Sequence, residues 1–72
     1  MTEQFKHAYS ALYRMGCPVK KKGDSFVIRS EPDSKWADCV SLVVNPKIEK
    51  LLLKHGLYYD WNNDGNLEVY GD

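Results

Sequence analysis

Long apolar runs are missing from this 72-residue sequence. The longest, such as Leu42-Val43-Val44 and Leu51-Leu52-Leu53, end after a few residues, whereas a membrane-spanning helix needs ~20. A charged start leading into an apolar stretch is missing too. Glu3 and Lys6 fall instead within a helical pattern, so no export signal is read and the cytoplasm is the expected compartment. Cysteine is scarce: Cys17 and Cys39 allow one bridge at most, and a chain without an export signal is expected to keep both as thiols. No segment is low-complexity. With 43% hydrophobic and 28% charged residues the composition is that of a folded globule. A chain this short buries only roughly 60% of its unfolded surface. One thin-cored α+β domain over residues 1–72 is therefore predicted, and both a monomer and a homodimer remain open, because pairing adds burial.

Net charge is zero but unevenly distributed. Residues 1–30 hold Lys6, Arg14, Lys20, Lys21, Lys22 and Arg29 against Glu3 and Asp24, whereas residues 31–72 hold eight acids against four lysines. The halves stand near +4 and −4. The last segment is the extreme, since Asp60, Asp64, Glu68 and Asp72 follow Lys54 with no further lysine or arginine.

Phe5, Ala8, Leu12 and Met15 recur at helical spacing, which predicts a helix over 3–15 capped by Thr2 and ended by Gly16 and Pro18. Residues 19–29 read as a hairpin turning near Gly23 and Asp24, with Phe26 and Ile28 pointing one way and Val27 and Arg29 the other. Pro32 marks a loop. Residues 36–44 are ambiguous: a helical turn at Ser34 suits the start, while Val40, Leu42 and Val44 alternate as in a strand. Asn45 as a cap and Pro46 in the first turn open a second helix with Ile48, Leu51, Leu52 and His55 on one face, closed by Gly56. Leu57, Tyr59 and Trp61, then Leu67 and Val69, alternate around a turn at 62–66. The order helix, hairpin, strand, helix, hairpin repeats a structural unit without repeating its residues. It predicts two layers: an antiparallel sheet of about five strands with both helices on one face.

Asp60 to Glu68 opens like a calcium-binding EF-hand loop, with oxygen side chains at the first, third and fifth positions and Gly65 at the sixth. The twelfth position, which needs a bidentate glutamate, is Gly71, and no helix follows. A hairpin turn needs only the tolerance of Asn, Asp and Gly for positive φ, so no metal is expected. Cys17, Cys39, His7 and His55 show no ligand spacing, and His55 suits the C-terminal end of a helix dipole. No catalytic residue and no cofactor are assigned. Lys20, Lys21 and Lys22 form the one basic run, joined by Arg29 across the hairpin. They suit either phosphates or a solvated strand edge. Tyr58, Tyr70 and Trp36, if they lie on the outer face of the sheet, suit a protein partner; in a thin domain they equally suit the core.

The first 57 residues resemble the dsRBD-like fold of HicA mRNA interferase toxins. The features are a helix ended by Gly16, a short strand, a lysine-rich turn at Gly23-Asp24-Ser25 with Phe26 after it, and Val44-Asn45-Pro46 leading to Leu51-Leu52-Leu53-Lys54-His55-Gly56-Leu57. The resemblance implies nucleic-acid binding through Lys20, Lys21, Lys22 and Arg29. The family follows its glycine and serine with a catalytic histidine, and this sequence places Phe26 there. A second set is similar to small bacteriophage-encoded proteins: Trp36-Ala37-Asp38, Asn45-Pro46-Lys47 with the Lys54-His55-Gly56-Leu57-Tyr58 ending, Trp61-x-Asn63-x-Gly65 and Val69-Tyr70. Small phage proteins include inhibitors of host defence systems, so this resemblance implies a host protein partner in the host cytoplasm. The expectation is a non-enzymatic protein-binding module acting through Asp60, Asp64, Glu68, Tyr58, Tyr70 and Trp36. The alternative is a nucleic-acid-binding domain acting through the lysine hairpin.

Overall fold

A computed structural model describes residues 2–71; Asp72, counted above among the acids of the last segment, lies outside the described residues. Helix α1 (Glu3–Arg14) begins where the Thr2 hydroxyl accepts the Phe5 N–H at 3.4 Å. Glu3 in its first turn and Arg14 in its last complement the helix dipole. Ala8 and Leu12, four residues apart, are buried, with Phe5 and Tyr9 packed beside the core. Gly16 at φ +88° reverses the chain so that the Cys17 N–H donates to the Leu12 carbonyl at 3.0 Å, a capping geometry that β-carbons resist.

Strands β1 (Val19–Lys22) and β2 (Ser25–Ile28) form the expected hairpin, with Val19 opposite Ile28 and Lys22 opposite Ser25. After a central segment, α2 (Pro46–Lys54) starts at Asn45, whose side-chain oxygen accepts the Lys47 N–H at 2.9 Å, and buries Ile48 and Leu52. Strands β5 (Leu57–Trp61) and β6 (Leu67–Gly71) pair from Leu57 opposite Gly71 to Trp61 opposite Leu67. The sheet order is β1-β2-β6-β5. Each helix-hairpin unit thus contributes one edge strand and one central strand, and the units meet where Val27 faces Glu68 and Ile28 faces Leu67. Phe26, Ile28, Leu57, Leu67 and Val69 share one face and form a single core with Ala8, Leu12, Ile48 and Leu52. Both helices therefore lie on one side. The Gln4 side-chain amide, donating to the His55 carbonyl, ties the start of α1 to the end of α2.

The sheet has four strands where about five were expected. The ambiguous segment adds no strand to it. Instead β3 (Ala37–Asp38) and β4 (Val43–Val44) pair with each other in a separate two-stranded ribbon. The alternation of Val40, Leu42 and Val44 suggested a strand, but Val40 and Leu42 sit exposed in the ribbon's loop. What orders that loop is Asp38, buried, whose carboxylate accepts the N–H groups of Asp33, Val40 and Ser41. Those bonds hold its carboxyl below the usual range, led by the Ser41 and Asp33 amides.

Leu42 carries φ +56°, a conformation that costs a side chain bearing a β-carbon roughly 1–2 kcal/mol. It is 64% exposed, so little burial offsets that cost. Leu42→Asn, which tolerates left-handed backbone, is expected to raise stability by about 1 kcal/mol and the melting midpoint by about 4–8 °C. Thermal denaturation checks this, and an unchanged or lower midpoint would mean that Leu42 packs more than its exposure suggests.

Candidate functional site

Strand pairing assigns side chains to faces without further assumption, because directly opposite residues project the same way. Lys22 opposite Ser25, Lys20 opposite Val27, Val27 opposite Glu68, Asp60 opposite Glu68 and Tyr58 opposite Tyr70 all lie on the face away from the helices. Four of the six residues predicted for partner binding, Tyr58, Asp60, Glu68 and Tyr70, are thereby brought together. The fifth, Asp64, sits in the turn beyond Trp61.

Trp36 is separate. It is half-buried against the core at the start of β3, with the Lys35 ammonium 5.2 Å from its ring centre, and does not belong to the open face of the sheet. Tyr58 and Tyr70 stack with ring centres 5.7 Å apart and planes 25° from parallel. They are 50% and 39% exposed, on a face that neither helix covers.

The acidic character expected of the last hairpin is altered by a residue from the first. The Lys22 ammonium contacts a Glu68 carboxylate oxygen at 2.5 Å, across 46 residues of chain. The Tyr70 hydroxyl donates to the other oxygen at 2.8 Å, and the Asn62 amide reaches the first at 3.5 Å. Lys22, then Tyr70, holds the Glu68 carboxyl below the ordinary glutamate value. Glu68 reciprocally raises Lys22 and Tyr70. Its charge is thus engaged inside the fold, and Asp64 lies beside Lys20 and Lys22, which leaves Asp60 as the acid of the tyrosine end.

The sign of the pH dependence follows. Glu68 and Asp38 have depressed folded values, so their contribution is complete above the ordinary carboxylate range and is lost as pH falls through the folded values. Lys22 and Tyr70 have raised values, so theirs is complete below the ordinary lysine and tyrosine values and is lost as pH rises through the folded ones. Glu68→Gln is expected to flatten both limbs of a plot of melting midpoint against pH, and Asp38→Asn the acid limb alone. If Glu68→Gln leaves the alkaline limb unchanged, the pair with Lys22 does not form in solution.

The basic run is divided by the same alternation. Lys20 and Lys22 take the open face, near Val27, Asn62, Asp64 and Asn66, while Lys21, opposite Phe26, turns towards α1. Arg29 follows the end of β2, exposed, its N–H bonded to the Pro18 carbonyl. Lys20, Lys21, Lys22 and Arg29 do not form one surface.

The turn resembling a calcium loop is organised from within. The Asn62 side-chain oxygen accepts the N–H groups of Asp64 at 2.9 Å and Asn66 at 3.0 Å, and Asp60 accepts the Trp61 N–H. Gly71 stands in β6 where a β-carbon would lie 2.9 Å from a Leu57 methyl and 3.2 Å from the Phe5 ring. That close approach explains the glycine at a position where a calcium loop needs glutamate. Among the described residues no group of three His, Cys, Asp or Glu side chains is placed to hold a metal ion.

Cys17 and Cys39 are both free. Burial pushes the Cys17 thiol up to about 11, so it stays protonated near neutral pH and is a weak nucleophile. His7 and His55 approach with ring centres 6.4 Å apart, and Glu3 lies 3.4 Å from His7. Among the described residues no helix is long and apolar enough to cross a membrane.

Sequence reasoning missed the role of Lys22, because no local pattern links it to Glu68. It also passed over Lys6, Ser10 and Arg14, whose four-residue spacing on α1 was legible and lines them up beside Lys21. No family model matches the chain, and neither a curated protein nor a solved structure matches it significantly.

Proposed function

We propose that this chain is a non-enzymatic protein-binding module whose contact surface is the open face of the sheet, centred on Tyr58 and Tyr70. One observation carries this reading. Two large aromatic side chains stack on each other, remain exposed, and sit on the face of the sheet away from both helices. Tyrosines of this kind supply contact area at low entropic cost and dominate many interfaces. Asp60 lends the tyrosine end of this face a negative sign, whereas Asp64 lies beside Lys20 and Lys22, so a basic surface of a partner is favoured at the β5 edge. A phage-encoded inhibitor of a host nucleic-acid or defence enzyme is the specific version, because an acidic patch competes for a groove that normally takes nucleic acid.

The test is a pull-down from nuclease-treated host lysate with the tagged protein beside two variants, Tyr58→Ala/Tyr70→Ala and Asp60→Lys/Asp64→Lys. Glu68 is left intact, since reversing it would set a second cation beside Lys22 and confuse binding with stability. Loss of one tyrosine contact is expected to weaken a purified partner about tenfold, and loss of both more than that. A partner retained equally by both folded variants removes this reading.

A further inference from the structure

A second groove lies away from the open face, on the helix side of the sheet. It runs between α1 and β1, has a volume of about 510 Å³, and is formed by Lys6, Tyr9, Ser10 and Lys21, with Tyr13 and Arg14 continuing it along the helix. Three cations line it, and among the described residues no carboxylate does. Glu3 lies 4.0 Å from Lys6 and is itself largely exposed. Between the cations lie two aromatic rings. Tyr9 and Tyr13 are stacked, 18° from parallel with centres 6.4 Å apart, and the Lys21 ammonium sits 5.7 Å from the centre of the Tyr9 ring. Tyr9 is fixed from behind by an edge contact with Phe26 at 5.5 Å, whereas Tyr13 is 67% exposed.

Each part of this arrangement narrows the ligand. Three positive side chains without a lining carboxylate select an anion with several charges. Two nearly parallel rings, one held rigid and one open, select flat groups that can lie against them. A duplex hides the faces of its bases inside the stack, so only unpaired bases can reach such rings. We propose that the groove between α1 and β1 binds single-stranded nucleic acid, with Lys6, Arg14 and Lys21 on the phosphates and Tyr13, backed by Tyr9, beneath a base. The site lies on the helix side of the sheet and is independent of the tyrosine pair on the open face. Of the basic run at 20–22, it uses Lys21 alone.

The experiment is fluorescence anisotropy of labelled oligouridine and oligothymidine of about 12 nucleotides, with the protein titrated at about 50 and 200 mM salt. Three phosphate contacts on a single strand give a salt slope near −2, so affinity is expected to fall about 20-fold between those salts. Arg14→Glu/Lys21→Glu is expected to abolish binding. Tyr13→Ala is expected to weaken it about tenfold with the salt slope unchanged, because a ring contributes stacking and no charge. Lys20→Glu, which makes the same charge change as Lys21→Glu on the opposite face, is expected to retain most of the binding. Circular dichroism confirms that each variant is folded. Absence of saturable binding at the lower salt overturns the proposal, as does an equal loss from Lys20→Glu and Lys21→Glu. A duplex bound as tightly as the single strand, or a Tyr13→Ala variant with full affinity, overturns it too, since either would leave only non-specific charge attraction.

Discussion

Phe26→Ala is expected to destabilise the domain by about 3–5 kcal/mol. Phe26 is 1% exposed and sits where the first hairpin meets α1, its ring edge-on to Phe5 at 6.3 Å and to Tyr9 at 5.5 Å. Truncation removes the burial of a large ring, leaves a cavity bounded by two other rings, and removes both edge contacts, each worth about 0.5–1.5 kcal/mol. A chain of this length has a total stability of roughly 4–11 kcal/mol. The variant should therefore be marginal at room temperature, with a urea midpoint much reduced. Phe26→Leu, which keeps most of the volume, should cost less than half as much. A loss under about 1 kcal/mol for the alanine variant would show that the core closes around the gap. Because Phe26 also backs Tyr9, a folded variant should bind single strands less tightly even though no groove residue has changed.

Gly56→Ala is expected to cost about 2 kcal/mol, or about 8–16 °C in melting midpoint. Two separate effects add. The backbone at Gly56 has φ +71°, which a β-carbon opposes, and that carbon would lie 2.8 Å from the Gln4 side-chain nitrogen. Gln4 would have to leave the His55 carbonyl, and the link between the start of α1 and the end of α2 would open. Gln4→Ala isolates the second effect, since it removes the link while leaving the glycine. If Gly56→Ala and Gln4→Ala cost the same, the backbone term is negligible and the helix turn tolerates a side chain.

The elements that were legible in the sequence are those specified by neighbours a few residues apart. Thr2 and Gly16 bound α1, Asn45-Pro46 and Gly56 bound α2, and the two hairpin turns formed where Gly23 and the 62–66 cluster stand. The central segment was not legible. Its strands are two residues each, too short for a period of two to show, and its loop is ordered by Asp38 reaching amides on both sides of it. Of the candidate site, the tyrosine pair could be read because β5 and β6 are joined by a short turn. The neutralisation of Glu68 could not, because it depends on which strand lies next to β6. Net charge summed along the chain suggested an acidic end and a basic end, and the pairing of β2 with β6 places part of each on the same surface.

That pairing also sets an order of events in folding. Each helix with its hairpin is a local unit whose contacts span few residues and close early. The central seam is different: Ser25 donates to the Val69 carbonyl across 44 residues, and the core is complete only once β2 and β6 lie side by side. Closing so long a loop carries an entropic cost that the hairpins do not meet. The rate-limiting step should accordingly be the docking of two preformed halves. Changes within a hairpin turn, which is formed before that step, should therefore slow folding, whereas mutations at the seam, such as Ile28→Val or Leu67→Ala, should divide their effect between slower folding and faster unfolding.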